Sequence, residues 1–191
     1  MGVYPFTSTS TERANIDLKN VRLFNYLQAY WQSAHTLNEP EYAKHRKIID
    51  KDVSRTDRTH VFFQGEDNPN LDRLRNILLC HIMLDKELGY IQGMNDFASP
   101  LLRIFDSNIV DAFWCFAHYM KKRRHNFIEI TMHNDLVLLK SLVHYLDPVL
   151  SLNLQSAAPG LTENWLFCHR WLLLDLKREF SLDLVPCLWE V

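Results

Sequence analysis

The stretch Gly89-Tyr90-Ile91-Gln92-Gly93-Met94-Asn95-Asp96 stands out because it holds two of the five glycines in the whole chain. A glycine after a helical run can adopt the left-handed conformation that ends a helix, so the preceding helix is predicted to stop at Gly89. Gly93 then lets the backbone approach another surface closely or turn into the next helix. The amide of Gln92 on such a tight loop is suited to positioning water or facing a phosphate. Taken alone, however, the stretch is better explained as a helix–loop–helix corner whose glutamine bonds the backbone.

A second stretch, Ile49-Asp50-Lys51-Asp52-Val53-Ser54-Arg55-Thr56, places isoleucine, aspartate and arginine at successive spacings of three. At that spacing Asp52 and Arg55 lie one turn apart on a helix face. Taken alone, this pattern is better explained as an ordinary intrahelical ion pair, which contributes only a few tenths of a kcal/mol.

Together the two stretches resemble the signature of the TBC domain, a helical module that activates Rab-type GTPases. The family patterns I-x-x-D-x-x-R and Y-x-Q-G-M are both present and in the family's order. A third block, formed by residues 167–174, 177–181 and 188–190, is also similar to the family. Residues 55–59 and 111–116 most resemble the subgroup associated with late-endosomal Rabs. The resemblance covers nearly the whole chain, and three ordered motifs seldom arise by chance.

The resemblance implies that the chain accelerates GTP hydrolysis on a bound Rab by completing the active site of its partner. Arg55 corresponds to the family's arginine finger, and Gln92 to its glutamine finger, which orients the attacking water. The resemblance also implies supporting residues. Asp52 would hold Arg55 or the adjacent backbone, and Tyr90 would shape the glutamine loop. Ile49 would pack in the core. Gly93 would let the loop approach the phosphate, since a side chain there would push the loop away. Met94 completes the motif.

The resemblance, the net charge and the hydropathy of the chain indicate which cofactors and partners to expect. GTP and Mg²⁺ would belong to the Rab, so the chain is expected to have no cofactor of its own. A net charge of −2 with mixed acids and bases argues against nucleic-acid binding. No stretch is apolar enough for a signal peptide or membrane span. The resemblance, in turn, implies a cytoplasmic protein that is peripheral at endosomal or other vesicle membranes, with adaptors bound through segments outside this chain.

The cysteines and histidines give no metal or catalytic pattern. The four cysteines are widely separated and each lies in an apolar segment, so all are expected to be reduced, buried thiols: Cys80, Cys115, Cys168 and Cys187. The nine histidines show neither ligand spacing nor the arrangement of a catalytic triad.

The chain is predicted to be all-α, since no segment alternates as a strand does. A Thr9–Glu12 capping box begins a first helix with an apolar stripe that includes Leu18 and Val21. A second helix, from about Tyr42, turns Ile48, Ile49 and Val53 inward and delivers Arg55 near its end. Phe62 and Phe63 are expected to anchor the irregular loop that comes next.

Asn68-Pro69 is predicted to start the helix that ends at Gly89. Further helices are predicted over 97–105, bent or broken by Pro100, from a cap at Asn108, and over about 126–146. Residues 149–160 are expected to be a connector. Thr162 is expected to cap a long helix reaching Phe180, and Pro186 fits only the first turn of a last helix.

The expected domain organisation is a single, partial Rab-GAP TBC domain over 1–191, with an irregular segment over 1–10. TBC domains usually extend beyond both ends of this pattern, so we expect the domain to be truncated and its C-terminal half incomplete. This leaves an alternative function, a helical module that binds a Rab or an adaptor without stimulating hydrolysis.

Overall fold

The computed structural model describes residues 8–33 and 37–190, and within these ranges the regular structure consists of α- and 3₁₀-helices without strands. The all-α prediction is therefore confirmed. The chain divides into two compact units, residues 1–121 with Glu190, and residues 122–189. The first seven residues, most of the predicted irregular segment 1–10, lie outside the described ranges.

The first unit contains both motif stretches. Its helices are α1 (Ser10–Trp31), α2 (Pro40–Arg55), α3 (Pro69–Leu84), α4 (Met94–Ile104) and α5 (Ile109–Arg123), whose last two residues belong to the second unit.

Helix α3 lies at the centre of the first unit and packs against α1, α2 and α4. Its buried residues cover most of its circumference, as expected for a helix surrounded by others: Leu71, Leu74, Ile77, Leu78, Leu79, Cys80, His81 and Ile82. Phe113 and Phe116 of α5 extend this core through ring contacts with Phe24 of α1 and with His81.

The starts of the first three helices agree closely with the sequence prediction because their signals are local. Thr9 and Glu12 form the capping box of α1. Asn68 accepts a hydrogen bond from the Asn70 backbone, and Pro69 opens α3. The second helix begins at Pro40 rather than Tyr42, since proline is well tolerated in a first helical turn.

The predicted inward faces of the first two helices are partly wrong. Leu18 and Val21 of α1 and Ile48 of α2 are exposed, whereas Ile49 and Val53 are fully buried. Neighbouring residues on a helix point about 100° apart, so burying Ile49 turns Ile48 away from the core.

Helix α3 ends at Leu84, five residues before the predicted stop at Gly89. The side chain of Asp85 accepts the Leu88 backbone N–H at 3.1 Å, and its carbonyl accepts the Gly89 N–H at 3.0 Å. Aspartate competes in this way with helical hydrogen bonding and favours a turn. Gly89 nevertheless has the predicted left-handed conformation, with φ +62°.

Helix α4 starts at Met94, three residues earlier than predicted, and remains one α-helix through Pro100. Nine of its residues are buried, from Met94 to Leu102. The packing of this helix therefore offsets the hydrogen bond that proline cannot donate.

The second unit has shorter elements than predicted. They are a 3₁₀ helix (Arg124–Phe127), α6 (Glu129–Leu146), α7 (Pro148–Ala157), α8 (Pro159–Thr162), a 3₁₀ helix (Leu166–Cys168), α9 (His169–Leu173), a 3₁₀ helix (Lys177–Glu179) and α10 (Val185–Trp189). The expected connector over 149–160 is mostly the helix α7. Pro186 lies in the first turn of α10, as predicted.

The predicted long helix from Thr162 to Phe180 is wrong. Trp165, Asp175 and Leu176 have positive φ values of 53°, 45° and 60°. Each such residue interrupts a right-handed helix. Trp165 is buried against Leu136 and Cys168, so packing of its large ring favours the turn over a continuous helix.

Among the described residues, no helix combines the length and the apolar character needed to span a membrane.

The four cysteines are free, but only three are buried. Burial raises the pKa of the Cys80 thiol to about 12, that of Cys168 to about 11, and that of Cys115 above its ordinary value. Cys187 is exposed on α10, contrary to the expectation for all four cysteines.

We expect one thiol to react quickly with Ellman's reagent in the native protein at pH 8, since the thiolate is the reactive form and three thiols are buried. All four should react at once in denaturant. In Cys187→Ser the fast native reaction should disappear. A fast reaction that survives this substitution would contradict the assignment.

Candidate functional site

Helix α2 supplies one side of the candidate site through its last turns. Ile49 and Val53 are fully buried and fix the helix against the core. On the same helix Asp52 is buried, with only 1% of its surface exposed. Arg55 is the last helical residue, and its side chain is 49% exposed. The helix thus holds a carboxylate inside the protein and an arginine at its surface.

The loop from Gly89 to Gly93 supplies the other side. Gly93 has φ +106° and is the N-cap of α4, a backbone conformation that side chains disfavour. The Met94 N–H donates to the Ile91 carbonyl at 3.2 Å, closing a tight turn. Met94 is fully buried and fixes the end of the turn, while Gln92 is exposed at its tip.

Asp52 joins these two sides. One carboxylate oxygen accepts a hydrogen bond from the Tyr90 hydroxyl at 2.8 Å, and the other accepts one from Arg55 Nη2 at 2.6 Å. Tyr90 is itself buried, so the tyrosine bond is shielded from water. A single side chain therefore links the exposed arginine to the loop that carries the exposed glutamine.

Burial raises the pKa of the Tyr90 phenol well above its ordinary value, and the negative charge of Asp52 raises it further. The phenol therefore keeps its proton at neutral pH. It therefore has a proton to donate to the Asp52 carboxylate, which accepts it at 2.8 Å.

Two further residues extend the network, and sequence analysis assigned a role to neither. The Thr56 hydroxyl donates to the Asp52 carbonyl at 2.7 Å and accepts from Asn95 Nδ2 at 2.9 Å. Both side chains are buried. They lie within the two motif stretches, but their mutual bond spans 39 residues and no local pattern indicates it.

His45 is a third residue that sequence analysis missed. Its Nδ1 accepts the backbone N–H of Tyr90 at 3.2 Å. Its ring also lies against Gly89, where a Cβ atom would come within 2.6 Å of His45 Cε1. A side chain at residue 89 would therefore be strained by the positive φ and would have to displace the His45 ring.

The structure thus brings Asp52 into direct contact with both Arg55 and Tyr90, and places Ile49 and Met94 in the core. Gly93 forms the turn beneath Gln92. Within residues 8–33 and 37–190, no hydrogen bond engages the Gln92 side-chain amide. In the same ranges, no group of three His, Cys, Asp or Glu side chains could hold a metal ion. The Arg55 guanidinium and the Gln92 amide are therefore both available to a partner at the surface.

Comparison with known proteins gives this geometry a family context. The sequence model of the family described as Rab-GTPase-TBC domain matches residues 3–191 of this chain. The chain is 40% identical over 197 residues to TBC1 domain family member 17 of Homo sapiens. It is 35% identical over 209 residues to the GTPase-activating protein gyp7 of Schizosaccharomyces pombe.

A solved structure shares the fold. The crystal structure of the Ypt/Rab-GAP domain of Gyp1p superposes with a TM-score of 0.81 at 20% identity, over 98% of this chain and 65% of that one. The chain spans 30% of the length of the human relative and 28% of that of the Schizosaccharomyces pombe relative, although each alignment covers all of this chain. On the family match and these identities, the chain belongs to the Rab-GTPase-TBC domain family.

Proposed function

We propose that this chain is a GTPase-activating protein for a Rab-family small GTPase, to which it supplies Arg55 and Gln92 in trans. Its similarity to a protein named GTPase-activating protein gyp7 supports the activity. The hydrogen-bonded link from Arg55 through Asp52 to Tyr90 supports the choice of residues.

The role proposed for Arg55 rests on the charge that develops on the transferring phosphoryl group. Arginine keeps its charge and offers several donors in one plane, which suits phosphate oxygens. An arginine supplied in trans accelerates GTP hydrolysis by about 10³–10⁵-fold in well-studied GTPases. Asp52 holds one edge of the Arg55 guanidinium while about half of that side chain stays exposed, so the arginine is oriented before the partner arrives.

The role proposed for Gln92 is to orient the attacking water. Its amide can accept one hydrogen bond from a water and donate another. It lies at the tip of a turn closed by the Met94–Ile91 backbone bond, which fixes the position of its main chain. The partner would then only have to set the side-chain dihedral angles of Gln92, and less rearrangement means a lower barrier.

The remaining assignments are also part of this proposal. The Rab would bring GTP and Mg²⁺, so the chain would act as an activator without a cofactor of its own. It would function as one partial TBC domain over 1–191, in the cytoplasm at endosomal or other vesicle membranes, with adaptors bound through segments outside this chain.

The observation that carries the proposal is the buried Asp52 carboxylate shared by the two sides of the site. An ordinary helical ion pair would leave Asp52 near water and bonded to Arg55 alone. The bond from Tyr90 instead ties the arginine helix to the glutamine loop, an arrangement suited to presenting both side chains to one partner.

We expect Arg55→Ala to lower the stimulated rate of GTP hydrolysis by about 10³-fold and Gln92→Ala by about 10²-fold or more, since each removes a group that acts on the transition state. Arg55→Lys should recover little, because lysine lacks the planar fork. The measurement is phosphate release from a panel of GTP-loaded Rabs, together with Rab binding by each variant.

Matched controls are Arg46→Ala, whose side chain lies on the same helix with the same 49% exposure, and Gln64→Ala in an exposed loop. Both should retain stimulation. If the wild-type chain binds a Rab but stimulates none, the alternative of a binding module replaces this proposal.

We expect Tyr90→Phe to lower the free energy of unfolding by about 1–3 kcal/mol, because a buried carboxylate oxygen of Asp52 loses its donor. The stimulated hydrolysis rate should fall as well, since the loop is no longer tied to α2. Urea unfolding and phosphate release give the two readouts.

Tyr26→Phe is the control for the loss of a hydroxyl, because Tyr26 is 63% exposed. It should change the free energy of unfolding by less than about 0.5 kcal/mol. Equal effects of the two substitutions would argue against a structural role for the Tyr90–Asp52 bond.

A further inference from the structure

We propose that His45 is a positioning residue for Gln92, acting through the backbone of Tyr90. This inference rests on the proposed function, since it assigns His45 a part in presenting the glutamine to the partner. It is carried by the Tyr90 N–H bond to His45 Nδ1 at 3.2 Å and by the contact of the imidazole with Gly89.

His45 and Asp52 bind opposite ends of the same tyrosine. They are seven residues apart on α2, about two helical turns, and therefore lie on the same face of the helix. His45 accepts from the Tyr90 backbone, and Asp52 accepts from the Tyr90 hydroxyl at 2.8 Å. The His45 bond fixes the backbone end of Tyr90, whereas the bond to Asp52 and burial of the ring fix its side chain, whose hydroxyl also lies 3.2 Å from Asn95 Oδ1.

The point fixed by His45 lies at the beginning of the glutamine loop, two residues before Gln92. The end of the loop is fixed separately, by the buried Met94 and by the left-handed Gly93. Loss of the His45 bond would therefore free only the first part of the loop, before Gln92. Gln92 would then sample more orientations, although the fold and the Asp52–Arg55 pair would remain.

Gly89 shows that the imidazole occupies a defined place. A Cβ atom at residue 89 would lie 2.6 Å from His45 Cε1 and 2.7 Å from Nε2, closer than packed atoms approach. The ring thus lies against the Gly89 backbone, in the space that a side chain at residue 89 would need.

The chemistry of the bond selects the test variants. Nδ1 can accept the Tyr90 N–H only while it carries no proton, so the anchor requires an acceptor at this position. His45→Ala removes the acceptor and keeps a good helix former. His45→Asn places an amide oxygen near the position of Nδ1 and should restore the bond.

With a Rab that the wild-type chain stimulates, we expect His45→Ala to lower kcat about tenfold and leave KM nearly unchanged. His45→Asn should recover most of kcat. Because His45 acts through Gln92, His45→Ala should cause little further loss in a Gln92→Ala background. Lys47→Ala, an exposed substitution on the same helix, should behave as wild type.

Hydrogen exchange of the Tyr90 amide, measured without any Rab, gives a readout independent of activity. Exchange should quicken about tenfold or more in His45→Ala and return toward the wild-type rate in His45→Asn. Unchanged exchange overturns the inference, as does an unchanged kcat or an equal loss in the Gln92→Ala background. A wild-type chain that stimulates no Rab overturns the proposed function instead, and the exchange data still decide whether His45 anchors Tyr90.

Discussion

Removing a carboxylate from water is costly unless donors replace the lost hydration, and the buried side chain of Asp52 sets this requirement for its surroundings. Tyr90 must approach from the loop with its hydroxyl, and Arg55 must fold back along its own helix. Thr56 and Asn95 complete the surroundings by bonding the Asp52 carbonyl and each other. Two segments far apart in the sequence are thereby held together by the demands of one buried charge.

Sequence reasoning succeeded for the all-α class and for several helix ends whose deciding signal is local. The Thr9 and Asn68 caps and the left-handed Gly89 depend on a few neighbouring atoms, and each was correctly predicted. It failed where tertiary packing decides. Nothing around Trp165 marks it as left-handed, and the turn is explained by the burial of its ring against Leu136 and Cys168. The long helix predicted there was therefore wrong.

The candidate site shows the same division. The resemblance to the TBC signature selected the residues of interest, including Asp52, Arg55 and Tyr90, but did not predict that a tyrosine hydroxyl would join the two stretches. His45 could not be found at all, since its partner lies 45 residues away and is a backbone N–H, which any residue type except proline provides. Only the packing of the loop against α2 identifies it.

Because His45, Asp52 and Arg55 are carried on one continuous helix, α2 fixes the distances and angles between their side chains. Each residue added to a helix rotates the later residues by about 100° and advances them by about 1.5 Å. An insertion or deletion between His45 and Asp52 would therefore turn one contact with Tyr90 away from the other. The length of this segment is more tightly constrained than the identity of its exposed residues, and evolutionary change here should proceed by substitution.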